Sequence, residues 1–154
     1  VFSNLWVRFR LCCWLLSSPH CGHGLGKNNL PAPPSSHWDC CSPRSVSLQS
    51  PDGAIWILQI FTEGSPHELT EQALSTMRAE YPDLEAEPIL EQLEGYEMVG
   101  FEMNFYCLDF VVTAEARGFQ RGRETIILFT QAETRDHARL ENVFRAMLIG
   151  LLRT

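Results

Sequence analysis

From residue 46 onward the apolar and polar positions fall into regular periods; before it they do not. Residues 46–49 alternate apolar and polar, and Ser50-Pro51-Asp52-Gly53 follows. Proline second and glycine fourth suit a type I turn, so this stretch signals a hairpin. Residues 54–61 (AIWILQIF) are β-branched and aromatic enough for a well-buried strand. Ser65-Pro66-His67-Glu68 then supplies a helix start, with Ser65 as N-cap, Pro66 at the first helical position and Glu68 completing a capping box. Leu69, Ala73, Met77 and Tyr81 recur every fourth residue as one apolar stripe, and Pro82 ends the helix.

The acidic residues 83–94 show no clear period, and a short strand or turn of helix is expected around Ile89 and Leu90. Val99, Phe101, Met103 and Phe105 alternate with Gly100, Glu102 and Asn104, which is the period of a strand. Residues 110–119 and 125–131 flank Gln120-Arg121-Gly122-Arg123, a polar turn with a central glycine, and form a second hairpin. A closing helix carries Leu140, Val143, Phe144, Met147, Leu148, Leu151 and Leu152 at helical spacing, with Asp136 as the expected N-cap. Strands joined by turns too short for crossover helices must pair antiparallel. Two amphipathic helices then need sheet surface to bury their stripes. The expected class is α+β, a mainly antiparallel sheet flanked by helices.

The first segment differs in charge and in cysteine. Arg8, Arg10, Lys27 and Arg44 against Asp39 leave residues 1–50 at +3, so the remainder of a chain of net charge −7 carries −10. Cys12, Cys13, Cys21, Cys40 and Cys41 lie in this segment, and only Cys107 lies beyond it. With a glycine cluster at 22–26, prolines at 31, 33 and 34 and no sustained period, it offers no continuous face to bury. Residues 1–45 are therefore expected to be a poorly ordered extension, and 46–154 the folded domain. Arg8 and Arg10 precede six apolar residues at 11–16, short of the roughly 7–15 of a signal peptide's apolar region, and no small-x-small cleavage site follows. That pattern favours a cytoplasmic chain over a secreted one. The chain opens on Val1 rather than methionine, which fits a fragment or a displaced start equally.

Charge narrows the function classes. A net −7 argues against a general nucleic-acid binder, and no apolar run approaches the roughly 20 residues of a membrane-spanning helix. His67-Glu68-Leu69-Thr70-Glu71 begins like a zinc-protease helix but has Glu71 where the second histidine must stand. Residues 22–28 resemble a phosphate loop, yet Cys21 replaces its first glycine, Asn28 its hydroxyl residue, and prolines follow instead of a helix. Cys21-x-His23 and His37-x-x-Cys40 hold the donor types of a tetrahedral zinc site and are the metal alternative in a chain otherwise read as metal-free. Cys107 with His137 lacks any nucleophile motif, and a small buried hydrophobe is the simpler reading of this cysteine. Glu97, Glu102 and Asp109 read as the solvent-facing half of an alternation. Arg117, Arg121 and Arg123 cluster around one hairpin of an acidic domain and are the binding candidates, able to hold a carboxylate, a phosphate or an acidic partner.

Landmarks along the chain suggest a family. Trp38 precedes a strand and the Ser50-Pro51-Asp52-Gly53-Ala54 turn; after the capped helix come Gly95-Tyr96-Glu97, Arg117-Gly118-Phe119, Gln131-Ala132-Glu133 and a helix with Val143-Phe144-x-x-Met147. Over roughly residues 38–154 this resembles the PsbP/Mog-like α/β/α sandwich family, with the bacterial domains of unknown function grouped with it. The resemblance implies a central antiparallel sheet between helices. It also implies action by binding, since members include an extrinsic photosystem subunit and a regulator of the GTPase Ran; it brings no shared catalytic residues. The cysteine-rich start departs from the family's pattern and leaves its first strand in doubt here. The expected function is thus a non-enzymatic protein-interaction domain with no cofactor. A small hydrolase-like enzyme and a zinc-stabilised binding module are the alternatives.

Overall fold

The computed structural model describes residues 44–154. Their elements run β1 (Arg44–Gln49), β2 (Ile55–Phe61), α1 (Pro66–Glu80), β3 (Glu85–Leu93), β4 (Tyr96–Cys107), β5 (Phe110–Arg121), β6 (Glu124–Glu133) and α2 (Thr134–Leu152). All but two residues of the expected extension, and with them Cys21, His23, His37 and Cys40, lie outside the described residues.

Every strand pairing is antiparallel, in the order β1-β2-β6-β5-β4-β3. Short turns make β1–β2 a hairpin and β3 to β6 a meander. Between them α1 carries the chain from β2 to the far edge of the sheet, so that β6 returns beside β2.

Each helix takes one face of the sheet. A side-chain carbon on Gly118 would lie 3.0 Å from the Pro66 carbonyl oxygen and 3.1 Å from Thr70 of α1, so a larger residue would push that helix away. The next residue, Phe119, packs with Leu148 and Leu152 of α2. Neighbouring residues on a strand point to opposite faces, so the two helices do as well. On the α1 face Ala73, Leu74 and Met77 are buried. On the α2 face Trp56, Leu58, Met98, Phe119, Ile126 and Leu128 form a core with Leu148 and Leu152. Each large apolar side chain buried there stabilises the fold by about 1.5–3 kcal/mol relative to exposure.

The expected α+β sandwich class is overturned by the proportions. Half of the described residues are strand and 31% helix. The sheet is a six-stranded antiparallel platform, and helices of 15 and 19 residues cover only part of it. The difference arises largely at residues 83–94. In place of a short strand or helical turn they hold the nine-residue edge strand β3, paired along its whole length with β4.

Local chemistry explains the other boundaries. Ser65 and Glu68 exchange hydrogen bonds as a capping box, with Ser65 N donating to Glu68 at 2.8 Å and Glu68 N donating to Ser65 at 3.2 Å. The closing helix begins earlier than Asp136: its N-cap is Glu133, whose side chain makes no capping bond, and Asp136 sits inside the first turn. There its negative charge still favours the helix dipole. Within the apolar stripe only Leu148 and Leu152 are fully buried, while Phe144 is half-buried and Val143 is 50% exposed.

Candidate functional site

A polar cluster lies between α2 and the middle of the sheet. The alternation that points Phe119 toward α2 gives Arg117 and Glu115 the same direction. Arg117 donates through Nε to Glu115 at 2.9 Å and through Nη1 to Glu91 of β3 at 2.5 Å. Glu91 also accepts from Arg145 of α2 at 2.6 Å. His137, one turn into α2, places Nε2 3.8 Å from Glu115 Oε1, too far for a hydrogen bond. Glu115, Arg117, His137 and Arg145, with Leu128, Thr130, Glu141, Phe144 and Leu148, line a cavity of about 20 Å³.

Opposite charges neutralise one another in this cluster. Burial opposes ionisation of Glu91, but the hydrogen bonds from Arg145 and Arg117 outweigh it and hold the carboxyl below its usual range. Burial likewise works against the Arg117 cation, and Glu115 followed by Glu91 overcomes it. A general acid near neutral pH needs the opposite shift.

Two further ion pairs fix the ends of α2. Arg139 reaches Asp52 in the β1–β2 turn at 3.4 Å, and Arg153 reaches Glu94 in the β3–β4 turn at 2.9 Å. The helix therefore runs diagonally over its face. These pairs are exposed, and their contribution is small.

The second feature is apolar. At the end of the β4–β5 hairpin Tyr106 is 71% exposed, Leu108 68%, Phe110 42% and Val111 40%. The turn is Leu108-Asp109, with Leu108 at a φ of 57°. A left-handed conformation of this kind ordinarily selects glycine or asparagine. Beneath the tip, on the α1 side, Phe105 stacks on Tyr81 with ring centroids 4.2 Å apart. The Tyr81 hydroxyl lies 4.0 Å from Cys107 Sγ. Burial first, then the Cys107 neighbour, raises the Tyr81 pKa.

The residues singled out in the sequence are distributed as follows. Arg117 is engaged by Glu115 and Glu91 inside the cluster, whereas Arg121 and Arg123 lie at the β5–β6 turn, with Arg123 exposed. Arg117 is thus separated from the other two by four residues of strand, about 13 Å. Cys107 and His137 are on opposite faces of the sheet, one beside Tyr81 and the other beside Glu115, so they form no dyad. Glu102 is within 3.5 Å of Asn104, Glu97 accepts from Gln92 at 3.3 Å, and Asp109 is exposed in the turn. Glu68 serves the capping box. Among the described residues no three His, Cys, Asp or Glu side chains are placed to hold a metal ion, and no helix is long and apolar enough to cross a membrane.

Sequence reasoning missed Glu91, Arg145 and the exposed hairpin end. The first two meet Arg117 only through strand register and helix placement. The third had a local signal: Tyr106-Cys107-Leu108-Asp109-Phe110 turns the chain without glycine or asparagine.

No family model matches the chain, and no curated protein matches it. Among solved structures, a Pseudomonas aeruginosa protein of unknown function, PA94, described as a candidate regulator, is similar in fold. The two share 12% sequence identity over 82% of this chain and 92% of that one, with a TM-score of 0.54. That likeness concerns the fold alone.

Proposed function

We propose that this chain is a non-enzymatic interaction domain that docks a protein partner through the end of the β4–β5 hairpin. The carrying observation is Leu108, a strained and exposed leucine flanked by exposed Tyr106, Phe110 and Val111. A left-handed leucine costs the fold about 1–2 kcal/mol that glycine would not. Its exposed side chain recovers little of that by packing within the domain. Strained positions of this kind concentrate where a molecule engages a ligand or partner. Aromatic side chains with aliphatic neighbours are also what the buried centres of protein interfaces favour.

The polar cluster fits the same reading. Its carboxylates are matched by arginines and fasten α2, which leaves the hairpin end as the reactive surface in the sense of recognition. The description of PA94 as a candidate regulator agrees with action by binding.

Leu108→Gly separates the two roles of this residue. The variant relieves the backbone, so its urea midpoint should equal or exceed that of the parent chain. Quantitative pull-downs from the native host should lose the parent's partner. Recovery of the same partner in the same amount would contradict the proposal.

A further inference from the structure

The cavity beneath α2 has chemistry that its ion pairs leave unsatisfied. Thr130 Oγ1 and His137 Nε2 both belong to residues lining it, both are shielded from solvent, and neither has a hydrogen-bond partner among the described residues. Thr130 is only 2% exposed, and the His137 side chain 12%. A buried hydroxyl without a partner keeps its desolvation cost uncompensated, so such groups ordinarily have one. The 3.8 Å separation of His137 Nε2 from Glu115 Oε1 is a polar approach that a shared third molecule would complete.

Size and charge say what that molecule is. One water needs roughly 10–15 Å³ of cavity and two to four polar partners. The cavity has about 20 Å³ and offers Thr130, His137 and Glu115. Glu115 and Glu141 balance Arg117 and Arg145 around it, so these four side chains leave no net charge to attract an anion.

We propose that this cavity is a built hydration site, in which one water bridges Thr130 of β6, Glu115 of β5 and His137 of α2. The water fastens the first half of the helix to the sheet. The burial pattern agrees: the two fully buried residues of α2, Leu148 and Leu152, lie in its second half. The first half is held by polar contacts such as Thr113 Oγ1 to Thr134 Oγ1 at 2.9 Å. Thr113, Glu115 and Thr130 lie on this face of the sheet, directly under that half. Water supplies the directional bonds there that apolar packing supplies further along.

The sign of one substitution tests this. Thr130→Val keeps the shape and removes the hydroxyl. If the hydroxyl binds water, the urea midpoint of the full chain falls. In a dry cavity the change deletes an unsatisfied group, and the midpoint rises or stays level, which would overturn the proposal. Magnetisation transfer from water to the His137 ring protons gives a reading independent of stability. A long-lived water produces a cross-peak in the parent chain that Thr130→Val loses; no cross-peak in the parent overturns the site. Chloride is the remaining occupant. A parent midpoint that rises with chloride at fixed ionic strength, and no longer does so in Thr130→Val, would assign the cavity to an anion instead.

Discussion

Arg117 on β5 reaches across β4 to Glu91 on β3, with Nη1 2.5 Å from Oε2, and the β4 residue opposite Arg117 in register is Gly100. A side-chain carbon on Gly100 would lie 1.8 Å from the Ala116 carbonyl oxygen, so only glycine fits there. Because Arg145 of α2 joins the same carboxylate, this one contact ties three elements together. Arg117→Met keeps the length of the side chain and removes the charge that Glu115 and Glu91 share. It should destabilise the domain by about 3 kcal/mol, in the range for a broken, largely buried ion pair. Denaturant melts check the value.

The same triad sets an acid limit. Glu91 has a lowered pKa in the fold, because the arginine hydrogen bonds outweigh its burial. Its stabilising contribution is therefore fully present above the unfolded value of 4.5 and is lost as pH falls through the folded value. As far as Glu91 is concerned, urea midpoints should be insensitive to pH near neutrality and decline below about pH 4.5. Glu91→Gln should lower the midpoint at pH 7 and flatten that part of the decline. An unchanged acid limb in the variant would remove Glu91 from the account.

How far the sequence reveals this depends on the range of each interaction. The capping box at Ser65 and Glu68 and the hairpin around Gly122 were legible because their determinants lie within four residues. Strand β3 was not, because it is an edge strand. Its acidic residues, Pro88 and the 77%-exposed Leu90 break the alternation that a half-buried strand shows. Proline and charge are what an edge strand tolerates and even favours. Arg117 looked like a companion of Arg121 and Arg123 because proximity in sequence was the only measure. Its partner Glu91 is 26 residues away and reachable only through the register of three strands.

Helix α2 gives a graded test of burial. Leu148 is 3% exposed within the core, so Leu148→Ala should cost about 2–5 kcal/mol. Val143→Ala, at a half-exposed position of the same sequence stripe, should cost less than about 0.5 kcal/mol. Phe144 is half-buried, and its truncation should fall between the two rather than reach the cost of a fully buried phenylalanine. Thermal or urea unfolding of the three variants orders them.

On the other face the close approach of α1 depends on Gly118. A methyl group there meets Ile127 Cδ1 at 2.8 Å as well as the Pro66 carbonyl. The isoleucine tip can turn aside, but the helix backbone must shift. Gly118→Ala should therefore destabilise by about 1–3 kcal/mol through overpacking. A neutral or stabilising alanine in a denaturant melt would mean that α1 moves without cost.

The central claim, that the β4–β5 hairpin end is the docking surface, is tested most directly by site-specific photo-crosslinking in the native host. A photoreactive side chain replaces Leu108 in one chain and Glu71, on the exposed side of α1, in another. The account predicts a discrete crosslinked partner from position 108 and none from position 71. A partner captured from position 71 and absent at position 108 would contradict it.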